Sequence, residues 1–179
     1  RGAPEPTWDY FWDSRTTSWW VDIFANANHQ PRCTHIFDGD DPNDRAILLG
    51  GYDGCIRKWD ASSATDDGTN IDSHVWIGPL SVGQMGGMMI HEVQTVLGGE
   101  STSTNLDIFR GDSAEQAYNQ STSAFTESIS AGRNGAIRTR AGGRSLYIRL
   151  SNTGSGGWTF EDMRCTYSRT SDRFARRSR

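Results

Sequence analysis

Between Ala46 and Asp60 the chain reads AILLGGYDGCIRKWD, and no other stretch limits the fold as tightly. Four residues of mostly branched apolar character run into Gly50-Gly51-Tyr52-Asp53-Gly54, and the apolar pattern resumes at Ile56. Asp53 and Gly54 supply the positive-φ position that a tight reversal needs. Gly50 and Gly51 let the backbone bulge or approach a neighbour closely. The stretch therefore predicts a β-hairpin. The rest of the chain agrees with short strands and tight turns: it holds 20 glycines and a single lysine, Lys58, and its apolar runs are cut by Ser, Thr, Asn and Asp. An all-β fold of antiparallel strands follows.

Other segments extend that reading. DYFWDSRTTSWWVDIF (9–24) predicts strand, turn, strand, and CTHIF (33–37) a short strand before the acidic loop DGDDPND (38–44). ASSATDDGTN (61–70) reads as a loop and SHVWIGPL (73–80) as a strand. MMIHEVQTVLG (88–98) reads as a strand with a short helix as the alternative, and NLDIFRGD (105–112) as a strand entering a turn. Only DSAEQAYNQSTSA (112–124) has helical character. AIRTRAGGRSLYIRL (136–150) predicts a second hairpin around Ala141, Gly142 and Gly143. Leu146, Ile148 and Leu150 then share one face, with Tyr147 and Arg149 on the other. WTFEDMRCTYS (158–168) is the last strand, and 170–179 is a basic C-terminal tail.

Trp20, Trp59 and Phe109 each stand at a strand end beside acids, 39 and 50 residues apart. Propeller blades recur at roughly 40–50 residues per four-stranded unit. The expectation is one β-propeller-like domain over 1–179, made of about three to four antiparallel blades, whole or as part of a larger propeller. The chain opens on Arg1 rather than Met, which reads as a processed product or the back portion of a longer one.

The net charge of −4 is unevenly spread. Residues 1–100 carry 15 acids against 6 bases, a net −9, and residues 101–179 carry 7 against 12, a net +5. Acidic and basic regions of neighbouring copies that meet head to tail would fit this asymmetry. Cys33, Cys55 and Cys165 are an odd set without a CxxC pair, so reduced, buried thiols are expected. No apolar run approaches the ~20 residues of a spanning helix, and no membrane partner is expected.

The candidate catalytic and metal motifs have plainer explanations. The loop at 38–44 offers clustered carboxylates, but Pro42 and the lack of a downstream Glu break the calcium-loop pattern, and Asx turns explain it. His29, Cys33, His35 and Cys55 match no zinc spacing, so no metal is expected. Asp13, Asp22, Asp60 and Glu92 are the carboxylates available for glycoside hydrolysis, and TDDGTN falls one residue short of a sialidase-type Asp-box. No nucleophile elbow, P-loop or HExxH appears. Neither enzyme activity nor a cofactor is expected. Trp8, Trp12, Trp19 and Trp20 suit packing or subunit contact better than sugar stacking.

Arginine is the residue type set apart. Arg133, Arg138, Arg140, Arg144 and Arg149 surround the last predicted strands, and Arg173, Arg176, Arg177 and Arg179 crowd the tail. Guanidinium groups favour bidentate pairing with carboxylates or phosphates. These arginines are the candidate interface, pairing either with acids of the same copy such as Glu161 and Asp162 or with a neighbour.

The hairpin LLGGYDGCIRKWD resembles the strand–turn–strand core of propeller blades; its Gly-Gly-Tyr-Asp-Gly is similar to the kelch signature without the polar insert. The segment AGRNGAIRTRAGGRSLYIRLSNTGSGGWTFEDMRCTYSRT resembles the closing part of tailed-bacteriophage virion proteins with propeller-like domains. Gly132-Arg133-Asn134, Arg138, Arg140, Gly143, Ile148-Arg149-Leu150, Trp158, Glu161 and the arginine-rich finish carry that likeness, over about the last 50 residues. It implies a virion structural protein of a tail hub, nozzle or adaptor. Its partners would be copies of itself in a ring, other tail proteins and, transiently, packaged DNA. The alternative is an extracellular carbohydrate-binding or glycan-cleaving propeller.

Overall fold

The computed structural model describes residues 9–15, 17–22, 24, 27–60, 62–83, 86–154 and 156–170. The chain divides into two compact units, 1–71 and 72–179, where the sequence reading treats it as one domain.

In the first unit β1 (Asp9–Asp13) pairs with β2 (Ser18–Asp22), and the rings of Trp12 and Trp19 meet across the ladder with centroids 5.0 Å apart. Strands β3 (Pro31–Phe37), β4 (Ala46–Gly51) and β5 (Ile56–Lys58) form an antiparallel sheet in that order. The reversal between β4 and β5 follows from its residues. Gly54 adopts φ 80°, and the Gly51 N–H donates to the Cys55 carbonyl at 3.0 Å while the Cys55 N–H donates to Asp53 Oδ1. A Cβ on Gly51 would stand 2.9 Å from the Asn28 carbonyl oxygen, which explains a glycine there. The acidic loop ends in one 3-10 turn, Pro42–Asp44, with Asp41 Oδ1 accepting from the Asn43 N–H at 2.8 Å. Residues 61–70, read as a loop, instead contain the short hairpin β6 (Thr65–Asp66) and β7 (Thr69–Asn70). Asp67 and Gly68 both have positive φ, 45° and 82°, as a type I′ turn requires.

The second unit is a two-layer sandwich. Its strands are β8 (Ser73–Leu80), β9 (Gly87–Leu97), β10 (Thr104–Gly111), β11 (Phe125–Ile129), β12 (Gly132–Arg133), β13 (Ile137–Gly143), β14 (Ser145–Asn152) and β15 (Phe160–Thr170). One sheet has the order β11-β10-β14-β8; in the other, β9 pairs with β12 and β13 and, over its whole length, with β15. Ile90, Val93 and Leu97 of β9 meet Leu106 and Ile108 of β10 and Leu146, Ile148 and Leu150 of β14 in one core. Each such side chain contributes about 1.5–3 kcal/mol on burial. β9 alternates buried and outward residues over most of its length, a period of two that excludes the helical alternative for 88–98.

A single turn of helix, α1 (Ala114–Tyr118), follows β10. Ser113 caps it, its Oγ accepting from the Gln116 N–H at 3.1 Å, and Ala117 is fully buried. A Cβ on Gly111 would lie 2.5 Å from the Ala117 nitrogen, so only glycine admits the helix this close to β10.

The mostly antiparallel all-β expectation is met, but the blade architecture is corrected for the second unit. A propeller blade is a meander of sequential strands, whereas β11-β10-β14-β8 joins strands distant in sequence, and its apolar side faces a second sheet. The predicted hairpin at 136–150 is also corrected. β13 and β14 form, but in different sheets: Gly142 and Gly143 pair with Met89 and Met88 of β9, and Arg144 alone links the two strands. The chain thus turns a corner of the sandwich there, because Ala141 and Leu146 must both enter the shared core. Cys33 and Cys55 are exposed, contrary to the expectation of buried thiols; Cys165 packs against the core, and burial raises its pKa.

Candidate functional site

Three separate strands bring arginines to one surface. The register sets Arg138 of β13 opposite Glu92 of β9, Arg164 of β15 opposite Gln94, and Arg133 of β12 opposite Val96. Val93, Thr95 and Leu97, which alternate with these β9 residues, are buried, so Glu92, Gln94 and Val96 and their partners face outward. Arg140, between buried Thr139 and Ala141, projects on the same side of β13. Four exposed guanidinium groups thus share the outer face of one sheet with Glu92 and Asp162. Among the described residues none of these arginines forms an ion pair, nor does Arg144 at the corner. Arg164 was missed by the sequence reading; its alternation with Asp162 and Thr166 in β15 was the available signal. Arg173, Arg176, Arg177 and Arg179, like Trp8, lie outside the described residues.

Arg149 belongs elsewhere. On the outer face of the other sheet its Nη2 donates to Asp107 Oδ2 at 2.7 Å and its Nε to the same oxygen at 3.2 Å. Asp107 Oδ1 accepts from Thr126 Oγ1 at 2.7 Å, and the carboxylate side chain is only 7% exposed. The guanidinium carbon lies 5.0 Å from the Phe109 ring and 5.4 Å from that of Trp76. Trp76 in turn packs against Phe109 and Tyr118 at 4.9 and 5.0 Å and edge-on to Tyr147 at 6.0 Å. This arginine, counted with the interface set, is bound into its own chain.

A second polar cluster sits in the first unit. Arg57 on β5 spans two carboxylates: Nη1 and Nη2 donate to the two oxygens of Asp53 at 3.0 and 2.6 Å, and Nε donates to Asp67 Oδ2 at 2.9 Å. His29 Nδ1 lies 3.1 Å from Asp66 Oδ2, and its Nε2 lies 3.6 Å from Asp67 Oδ2. Beside them a cleft of about 470 Å³ is lined by Phe24, His29, Trp59, Asp60 and the β6–β7 hairpin. The Arg57 hydrogen bonds, then the Cys55 N–H, hold the Asp53 carboxyl far below its ordinary 3.8. The Ser62 hydroxyl and N–H likewise lower Asp60. Both shifts keep a carboxylate ionised, the reverse of what a general acid for glycoside cleavage needs. Asp60 and Glu92 stand in different units. Among the described residues no group of three or more His, Cys, Asp or Glu is placed to hold a metal, and His29 is engaged by Asp66 rather than by Cys33 or His35.

The Asp53 shift has a pH consequence. Its folded pKa lies below the unfolded one, so its contribution is present above about pH 4 and is lost as pH falls below that range. Acidification from pH 4 to 1, followed by amide NMR of residues 51–55, should loosen this turn at the acid end of that range. In Asp53→Asn the turn should start looser and its acid-dependent change should largely disappear.

No protein-family model matches the chain, and no curated protein matches it. The geometry defines a two-unit antiparallel β protein with an arginine-lined sheet surface.

Proposed function

We propose that this chain is a structural component of a tailed-phage virion, of the hub, nozzle or adaptor kind, which works by assembling with copies of itself and with other tail proteins. The observation that carries the reading is the outer face of the β9 sheet, where Arg133, Arg138, Arg140 and Arg164 present unpaired guanidinium groups drawn from three strands. Unpaired arginines on a rigid sheet suit the carboxylates of a neighbouring subunit. The acidic first hundred residues, net −9, offer such a counterpart in the next copy. Packaged DNA is a weaker partner for a chain of net charge −4 and would make only transient contact. The blade reading is retained for β3, β4 and β5 alone, whose spatial order follows their sequence as a blade's does.

Light scattering on the whole chain tests this. The double substitution Arg138→Glu and Arg140→Glu should dissociate the assembly at least tenfold more readily at physiological salt, and raised salt should weaken the wild-type assembly in the same direction. A wild-type chain that stays monomeric sinks the reading. The second reading, an extracellular carbohydrate-binding protein, draws on Trp59, which is 44% exposed beside Asp60 at the cleft and open to stack on a sugar ring. Glycan-induced quenching of Trp fluorescence, lost in Trp59→Ala, would favour it over assembly.

A further inference from the structure

A long sheet edge runs along β15. The strand spans 11 residues, Phe160–Thr170, without a proline. It pairs with β9 over its whole length, and among the described residues no other strand pairs with it. Its outer backbone groups therefore lack a ladder, the condition in which an edge accepts a further strand. Two observations show which residues turn to that side. The Asn134 N–H donates to the Thr95 carbonyl at 2.9 Å, so Thr95 directs its backbone groups toward the β12 side of β9 and away from β15. Met163, opposite Thr95, accordingly directs its own N–H and carbonyl to the free edge. Its N–H donates to the adjacent Asp162 Oδ1 at 2.8 Å rather than to β9.

The side chains make this edge complementary to itself. Asp162 and Arg164 flank Met163 on the outer face, both exposed, while Met163 and Cys165 pack against the core. Among the described residues neither Asp162 nor Arg164 forms an ion pair within the chain. A second β15 laid antiparallel along the edge and centred on Met163 makes a hydrogen-bonded pair of Met163 with Met163. Asp162 of each copy then stands opposite Arg164 of the other, in the non-hydrogen-bonded positions where side chains approach most closely. Sliding the partner by one residue sets outer against inner side chains, and sliding it by two sets Asp162 against Asp162 or Arg164 against Arg164. We infer that copies of this chain pair through β15 in the register centred on Met163, forming an isologous dimer in which the two β9 sheets become continuous. The register shifts of β15 between Phe160 and Asp162 and between Thr166 and Tyr167 confine the new ladder to the residues between them. β12 and β13 lie across β9 from this edge, so Arg133, Arg138 and Arg140 stay available to other acids. The inference rests on the assembly reading above and adds to it a surface contained wholly within the second unit.

Exchanging the two charges is the deciding experiment, read by light scattering on the whole chain carrying Arg138→Glu and Arg140→Glu, which removes the other proposed contact. That chain should be a dimer. Adding Asp162→Arg or Arg164→Asp turns both cross-copy attractions into repulsions and should weaken the dimer about tenfold or more. Adding both together exchanges the partners' signs and should restore it. An equimolar mixture of the two singly altered chains should form heterodimers, because each arginine of one then faces an aspartate of the other; that recovery also shows that both are folded. Single reversals that leave the dimer intact, or a mixture and a double exchange that stay monomeric, overturn the inference. If the wild type assembles and the chain with Arg138→Glu and Arg140→Glu is monomeric, the β15 contact is wrong while the assembly reading stands. A monomeric wild type overturns both.

Discussion

Ile148→Ala is expected to lower the stability of the sandwich by about 3 kcal/mol, within the roughly 2–5 kcal/mol typical of Ile→Ala in a packed core. Ile148 is fully buried at the centre of β14, and the register sets it opposite Ile108 of β10 on one side and Ile77 of β8 on the other. Its neighbours cannot collapse onto the vacated volume, because their strands are fixed by ladder hydrogen bonds in two directions. Chemical denaturation followed by Trp fluorescence reads the effect. Trp158 reports on this unit, since it packs against the core and its Nε1–H donates to Ser73 Oγ at 2.6 Å. Ile148→Val keeps most of the volume and should cost only about 0.5–1.5 kcal/mol. If the two variants unfold at the same denaturant concentration, this position is not packed as described.

What the sequence disclosed, and what it withheld, follows from the range over which each feature is decided. The hairpin of β4 and β5 was legible because Gly51, Asp53 and Gly54 set its geometry within a few residues. The two faces of β14 were legible for the same reason, since alternation along LYIRL requires no knowledge of the partner strand. Asp67-Gly68 was as strong a local signal and was passed over because its flanking strands are only two residues long. Strand pairing was not legible. β13 and β14 both alternate, with glycines near their junction, and local rules favour joining them. Their actual partners are β9 for the one and β10 and β8 for the other, set by which side chains reach the common core. Period-two patterns specify a face and leave the neighbour open. The arginine surface shows the same limit: Arg133, Arg138 and Arg164 become neighbours only through β9, in whose sequence nothing announces them.

That distinction separates two kinds of arginine, and Arg149→Ala is where they part. Removing this side chain should destabilise the sandwich by about 3 kcal/mol, because it leaves the Asp107 carboxylate, 7% exposed, without its cation. Thr126 still donates to the other oxygen, so the site is weakened and not stripped of every partner. The lost contacts with Phe109 and Trp76 add a packing component. Asp107→Asn should cost less, since the amide keeps the shape and leaves Arg149, itself about a third exposed, access to water. A double-mutant cycle of Arg149→Ala with Asp107→Ala should return a coupling of about 1–3 kcal/mol. Arg138→Ala should change stability by less than about 0.5 kcal/mol, as exposed residues without partners do. Its effect should be confined to assembly. A coupling near zero between positions 107 and 149 would return Arg149 to the interface set, and a large loss of stability in Arg138→Ala would remove Arg138 from it.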